Sequence, residues 1–126
     1  MKIGHIALCV RDLEAMRTFY CNWFGGVSGG LYHNPRTGLR TYFLTFDGGA
    51  RLELMQMPDA LPHGGGPREG WAHLSFSLGS REAVDAATGR LRAAGCTVAS
   101  GPRVTGDGYY ESCILDPEGN RVELVA

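Results

Sequence analysis

The chain has no excess of charge of either sign, no long hydrophobic run and no paired cysteines, and each absence removes a class of function. Its 126 residues carry 12 Lys and Arg against 13 Asp and Glu, with the basic residues scattered rather than clustered. A nucleic-acid interface or a polybasic membrane patch needs concentrated positive charge, so neither partner is expected. The first apolar stretch, Ile3 to Val10, is too short to span a bilayer and runs straight into Arg11 and Asp12. It also lacks the pattern of a secretory signal, so a cytoplasmic protein is the expectation. Cys9, Cys21, Cys96 and Cys113 show neither CxxC spacing nor the regularity of a disulfide framework, and read as reduced thiols. What remains, with 44% hydrophobic residues, is the size and composition of one globular domain.

Within that domain the chain says nearly the same thing twice. His5-Ile6-Ala7-Leu8-Cys9-Val10 recurs as His73-Leu74-Ser75-Phe76-Ser77-Leu78, 68 residues later, and Arg51-Leu52-Glu53-Leu54 recurs as Arg121-Val122-Glu123-Leu124, 70 residues later. Each copy starts with a His and finishes with a Glu. Both are metal ligands, so the duplication suggests a single two-His, two-Glu site shared between the modules. Side chains alternate across a β-strand. Ile6, Leu8 and Val10 therefore oppose His5, and Leu74, Phe76 and Leu78 oppose His73. Leu52 and Leu54 flank Glu53; Val122 and Leu124 flank Glu123. All four candidate ligands share the face turned away from the apolar side, and a one-residue slip would drive charge into the hydrophobic layer.

Each half reads as a strand, a helix and then several strands, an α+β order. Asp12 is placed to cap a helix running to about Trp23, with Met16, Phe19, Tyr20 and Trp23 as its apolar stripe and Gly25-Gly26 as its stop. Ser80 is the matching cap in the second half, followed by the stripe Val84, Ala87, Leu91 and Ala94 and the stop Gly95. Thr41 to Phe46 leads through Asp47-Gly48-Gly49 into the strand bearing Glu53, a hairpin signal. Tyr109 to Leu115 leads through Asp116-Pro117-Glu118-Gly119-Asn120 into the strand bearing Glu123, and this apparently longer turn is expected to account for part of the unequal offsets. Residues 1–57 form the first module and 71–126 the second. Pro58 to Gly70, with three prolines, four glycines and no periodicity, reads as the linker, with a flexible lid as the weaker alternative.

The first-strand His, the E-L strand, the second His on H-L-S-F and the terminal D-P-E-G-N-R-V-E-L together resemble the vicinal oxygen chelate superfamily, most closely its glyoxalase I-like members, over essentially the whole chain. The resemblance implies two βαβββ modules whose sheets curl into a cup around a divalent metal, the glyoxalase/bleomycin resistance/dihydroxybiphenyl dioxygenase fold, often as a homodimer that pairs modules within or between chains. Carried over residue by residue, the metal ligands are His5, Glu53, His73 and Glu123. Dioxygenases and thiol transferases of the superfamily typically use two His and one Glu. Antibiotic-sequestering members, such as bleomycin-binding proteins, generally lack the set. The full set is the pattern of the glyoxalase-like isomerases. Taken singly, a His on a half-buried strand is more often structural and a Glu in R-x-E more often solvated. Four at repeat-equivalent positions on one face outweigh that reading.

Mixed nitrogen and oxygen ligation suits Zn, Ni, Co, Mn or Fe(II) without choosing among them. Such an ion would bind a substrate through two adjacent oxygens and stabilise the enediolate formed when a proton leaves the carbon beside a carbonyl. One carboxylate would move that proton. The resemblance favours Glu123 as the base with Glu53 as its counterpart, although the repeat makes the two near-equivalent. The E-L-T-x-N-W-G stretch that helps glutathione-dependent glyoxalases hold the tripeptide is absent, since the chain reads Glu53-Leu54-Met55-Gln56-Met57-Pro58. The thiol and substrate therefore stay open, with Met55, Met57, Trp71, Tyr109 and Tyr110 as candidate lining of a more apolar pocket. Arg51 and Arg121 share the faces of Glu53 and Glu123 and could orient a carboxylate, bind an anionic substrate or simply be exposed. The alternatives are a thiol transferase or dioxygenase using His5, His73 and Glu123, and a small-molecule binding protein without chemistry.

Overall fold

The computed structural model describes residues 1–62 and 70–126. The chain divides into two compact units, Met1–Gly64 and Gly65–Ala126, each with its own sheet and helix. Most of the expected linker, residues 63–69, lies outside the described residues.

In the first unit, β1 (His5–Cys9) leads into α1 (Leu13–Phe24), and β2 (Val27–Ser28), β3 (Tyr32–His33), β4 (Arg40–Thr45) and β5 (Arg51–Gln56) follow. Strand order is β1-β5-β4-β2, with β3 also on β4. The β1–β5 pair is parallel and the others antiparallel. β2 and β3 are two pieces of one outer strand, interrupted at Gly29-Gly30-Leu31, which restores the βαβββ order. Asp12 caps α1 by accepting from the Ala15 N–H, and Gly25 ends it at φ +68°, a left-handed conformation that glycine adopts without a Cβ penalty. Leu13, Met16, Phe19 and Tyr20 of α1 are buried together with Leu44, Leu52 and Leu54 from the sheet, each such side chain contributing about 1.5–3 kcal/mol. Trp23, expected on this stripe, is 37% exposed, because the buried face is led by Leu13 and ends at Tyr20.

The second unit repeats the plan. β6 (Leu74–Ser77), α2 (Arg81–Ala93), β7 (Val98–Val104), β8 (Tyr110–Leu115) and β9 (Arg121–Val125) build a sheet of order β6-β9-β8-β7, in which β6 and β9 are parallel. Ser80 caps α2 through the Ala83 N–H. The buried positions of α2 are Val84, Thr88 and Leu91; Ala94 is exposed. The missed residue is polar. Thr88 donates to the Val84 carbonyl and shares a 2.6 Å hydrogen bond with Ser112 of β8, so its hydroxyl is satisfied inside the core.

The unequal offsets have a different origin from the one the turns suggest. β4–β5 and β8–β9 are closed by equivalent pairs, Thr45 opposite Arg51 and Leu115 opposite Arg121, so the two connections are equally long. The caps Asp12 and Ser80 stand 68 residues apart, but the helix-terminating glycines Gly25 and Gly95 stand 70 apart. The two extra residues lie between the start of α2 and its terminating glycine. Among the described residues no helix is long and apolar enough to cross a membrane.

Candidate functional site

Strand parity places the candidate ligands where the alternation predicts. In β5, Leu52 and Leu54 are buried toward the helix, so Arg51, Glu53 and Met55 occupy the other face. The β1 register sets Ala7 beside Glu53 and His5 beside Arg51, which leaves His5 diagonal to Glu53. The His5 Nε2 lies 3.7 Å from Glu53 Oε2. In β9, Val122 and Leu124 are buried and Glu123 faces the other way. His73 Nε2 lies 3.1 Å from Glu123 Oε2. β6 begins at Leu74, where its pairing with Val122 starts, so His73 stands one residue before the strand rather than on it.

Each unit thus brings one His and one Glu together on the sheet face opposite its helix. In both pairs the carboxylate is sunk, 16% and 18% exposed, while the imidazole stands prouder at 46% and 41%. Among the described residues no group of three or more His, Cys, Asp or Glu is gathered so as to hold a metal ion. A pair of this kind supplies one nitrogen and one oxygen donor, half of a mixed-donor divalent site. The donor chemistry of the two pairs fits the expected group.

Around these pairs lie residues that the sequence pattern did not single out. Phe43 is directly opposite Glu53 on β4, and its ring meets His5 edge-on at 5.3 Å. In the second unit the position opposite Glu123 belongs to Cys113, whose thiol burial pushes up in pKa, away from a reactive thiolate. Glu111 shares that face two residues along and pairs at 3.6 Å with Arg103 of β7. The alternation of β8 could have revealed Glu111, since Ser112 and Ile114 flank the helix side. The Arg103 pairing could not be foreseen, because β7 shifts register twice before reaching it.

The expected pocket lining divides. Met55 is on the ligand-bearing face and partly covered, while Met57 is exposed. Trp71 is 90% exposed and Tyr109 is 60% exposed. Tyr110 turns to the helix side, where its hydroxyl donates to Asp85 of α2 at 2.6 Å. It has a counterpart in Tyr42, which donates to Glu14 of α1 at 2.9 Å. These two tyrosines tie helix to sheet and do not line a site.

Two βαβββ units, each with a His–Glu pair on the face away from its helix, agree with a match over residues 2–124 to the model of one family, and the chain belongs to the Glyoxalase/Bleomycin resistance protein/Dioxygenase superfamily. Among its relatives is the uncharacterized protein PA2024 of Pseudomonas aeruginosa, 36% identical over 97% of this chain and 86% of that protein. A glyoxalase family protein from Enterococcus faecalis has the same fold, with a TM-score of 0.82 at 24% identity over 99% of this chain and 97% of the other. So does the trypanothione-dependent glyoxalase I of Leishmania major, with a TM-score of 0.79 at 18% identity over 99% and 86%.

Proposed function

We propose that the protein is a divalent-metal-dependent lyase or isomerase of the glyoxalase I type, acting on a small substrate with vicinal oxygens. In this reading His5, Glu53, His73 and Glu123 hold the ion, and modules 1–57 and 71–126, joined by residues 58–70, form one functional domain that works as a homodimer in the cytoplasm. The observation that carries it is the pair of repeat-equivalent His–Glu contacts, at 3.7 and 3.1 Å, on the ligand-bearing face of each sheet. Glu53 is as deeply set beside its His as Glu123 is, which favours two carboxylate ligands over a set in which Glu53 is a spectator.

A bound Zn, Ni, Co, Mn or Fe(II) ion would supply Lewis acidity toward a carbonyl with a neighbouring oxygen. The chain's own work is proton transfer. Glu123 removes the proton from the carbon beside the carbonyl and returns it to the adjacent carbon, a task for a carboxylate within hydrogen-bond reach of both. Glu53 is its counterpart in the repeat, and the imidazoles of His5 and His73 are the nitrogen donors that would hold the ion.

The test is metal analysis of the purified protein, then a screen against α-keto-aldehyde adducts of several thiols. His5→Ala and His73→Ala should each lose strong divalent-metal binding, since each removes one of two nitrogen donors. Stoichiometric metal at wild-type affinity in both variants would overturn the ligand set. Activity and metal affinity that survive Glu53→Gln would favour the thiol transferase or dioxygenase alternative. Tight ligand binding indifferent to chelation would favour the binding protein.

A further inference from the structure

Arg51 stands two residues before Glu53 and so shares its face, and it is the register partner of His5 in the parallel β1–β5 pair. Its guanidinium carbon lies 4.5 Å from the centre of the Phe43 ring, the same ring that His5 meets edge-on. One aromatic side chain, directly opposite Glu53, therefore seats both a candidate ligand and a cation. A cation–π contact acts through the ring face and consumes none of the five guanidinium N–H donors. Among the described residues no carboxylate comes within ion-pair distance of Arg51, whereas Arg17 and Arg40 are paired with Glu14 and Arg103 with Glu111. An exposed guanidinium that is held in place beside the ligands, with its donor fork uncommitted, is suited to bidentate recognition of a carboxylate.

The repeat provides an internal comparison. Arg121 occupies the equivalent place, two residues before Glu123, but the residue opposite Glu123 is Cys113. Arg121 consequently has no ring to rest on, and among the described residues it makes no ring contact. A long side chain without a seat loses more rotamer freedom on binding an anion than one already positioned. The two arginines are equal in charge and unequal in preorganisation.

The geometry points to Arg51, seated on Phe43, as the specificity-determining residue that takes a carboxylate of the substrate beyond its two vicinal oxygens. The substrate class is then a small vicinal-oxygen compound bearing an additional carboxylate, and Phe43 is a positioning residue. The inference rests on the ligand set proposed above and extends it.

Glycolate and malate separate the two. Both offer an α-hydroxy-carboxylate, but malate adds a second carboxylate. Their affinities are measured by calorimetry on the wild-type protein with and without divalent metal, and then on the variants. Wild type should bind malate about tenfold or more tighter than glycolate, the scale of a hydrogen bond to a charged group. Arg51→Ala should bring the ratio close to one. Arg51→Lys should keep part of it, because charge survives but the planar fork does not. Phe43→Leu should lower the ratio with all charges intact, and Arg121→Ala should leave most of it. Metal removal that abolishes binding of both probes supports the ligand set, while the ratio, read with metal bound, bears on Arg51. No malate preference in wild type, or the same preference in Arg51→Ala, overturns the assignment whatever the metal result.

Discussion

At the scale of single residues, two positions carry the sharpest consequences. If Glu123 transfers the proton, Glu123→Gln should lower kcat by about 10²-fold or more, the usual scale for a lost general base. Because the amide oxygen can still coordinate, metal affinity should fall far less than in His73→Ala, and KM should move little. Exchange of solvent deuterium into the substrate's α-carbon, followed by NMR, should vanish with turnover. If it persists in Glu123→Gln and is lost in Glu53→Gln, the two carboxylates exchange roles. The other residue is Gly101, where β7 shifts register against β8. Its φ is +80°, and an added Cβ would meet the Glu111 carbonyl oxygen at 2.5 Å and the Ser112 Cα at 2.9 Å. Both neighbours are strand backbone with nowhere to go. Gly101→Ala should cost about 3 kcal/mol, combining a left-handed residue with an overpacked contact, and urea denaturation reads it directly.

At the scale of elements, each helix is tied to its sheet by polar contacts as well as by apolar burial. In the second unit the buried tie is the Thr88–Ser112 hydrogen bond, beside the exposed one from Tyr110 to Asp85. Thr88→Val keeps the volume but strands the buried Ser112 hydroxyl, at a cost of about 1–3 kcal/mol. Adding Ser112→Ala should recover part of that loss, and a double-mutant cycle in urea would show the coupling; strict additivity would deny it. In the first unit the tie is Tyr42 to Glu14, with Arg17 stacked over the Tyr42 ring at 5.0 Å. The hydrogen bond from Tyr42 holds the Glu14 carboxyl below its ordinary 4.5 and raises the Tyr42 phenol above its ordinary 10.0. A depressed carboxyl contributes stability that is complete above the ordinary value and lost as pH falls through the folded one. A raised phenol contributes below its ordinary value and loses that contribution as pH climbs past the folded one. The midpoint difference between wild type and Tyr42→Phe should therefore be largest near neutrality and shrink at both extremes. A difference independent of pH would mean that the phenol acts by packing alone.

At the scale of the whole molecule, a metal that binds only the native chain must stabilise it. At a free concentration a hundredfold above Kd, the gain should be about 2.7 kcal/mol. Thermal melting with and without chelator checks this, and the shift should disappear in His5→Ala and His73→Ala alike, one from each unit. At the outer strand of the first sheet Val27, Leu31 and Tyr32 are 68%, 44% and 55% exposed, apolar surface that a homodimer would have to offer. Sedimentation at micromolar concentration should find a dimer. A strict monomer would remove any exchange of modules between chains.

The features legible in the sequence are those that depend on near neighbours along the chain. A cap needs one side chain three residues from the N–H it accepts, so Asp12 and Ser80 announced both helices. Strand alternation is a two-residue period, so the face shared by His5 and Glu53, and by His73 and Glu123, could be read before any fold was known. Duplication declared itself through matched segments, and with it the α+β order of both units. Register and pairing partners were not legible, because they are set by which distant strand lies alongside. Only the tertiary structure put Phe43 opposite Glu53 and Cys113 opposite Glu123, which made Arg51 and Arg121 unequal although their local sequences match. It also revealed that Thr88 is buried rather than Ala94, since a polar side chain is hidden from pattern reading until its partner Ser112 arrives from another strand. And it drew Arg103 to Glu111 across a β7 whose shifts of register leave no periodic trace.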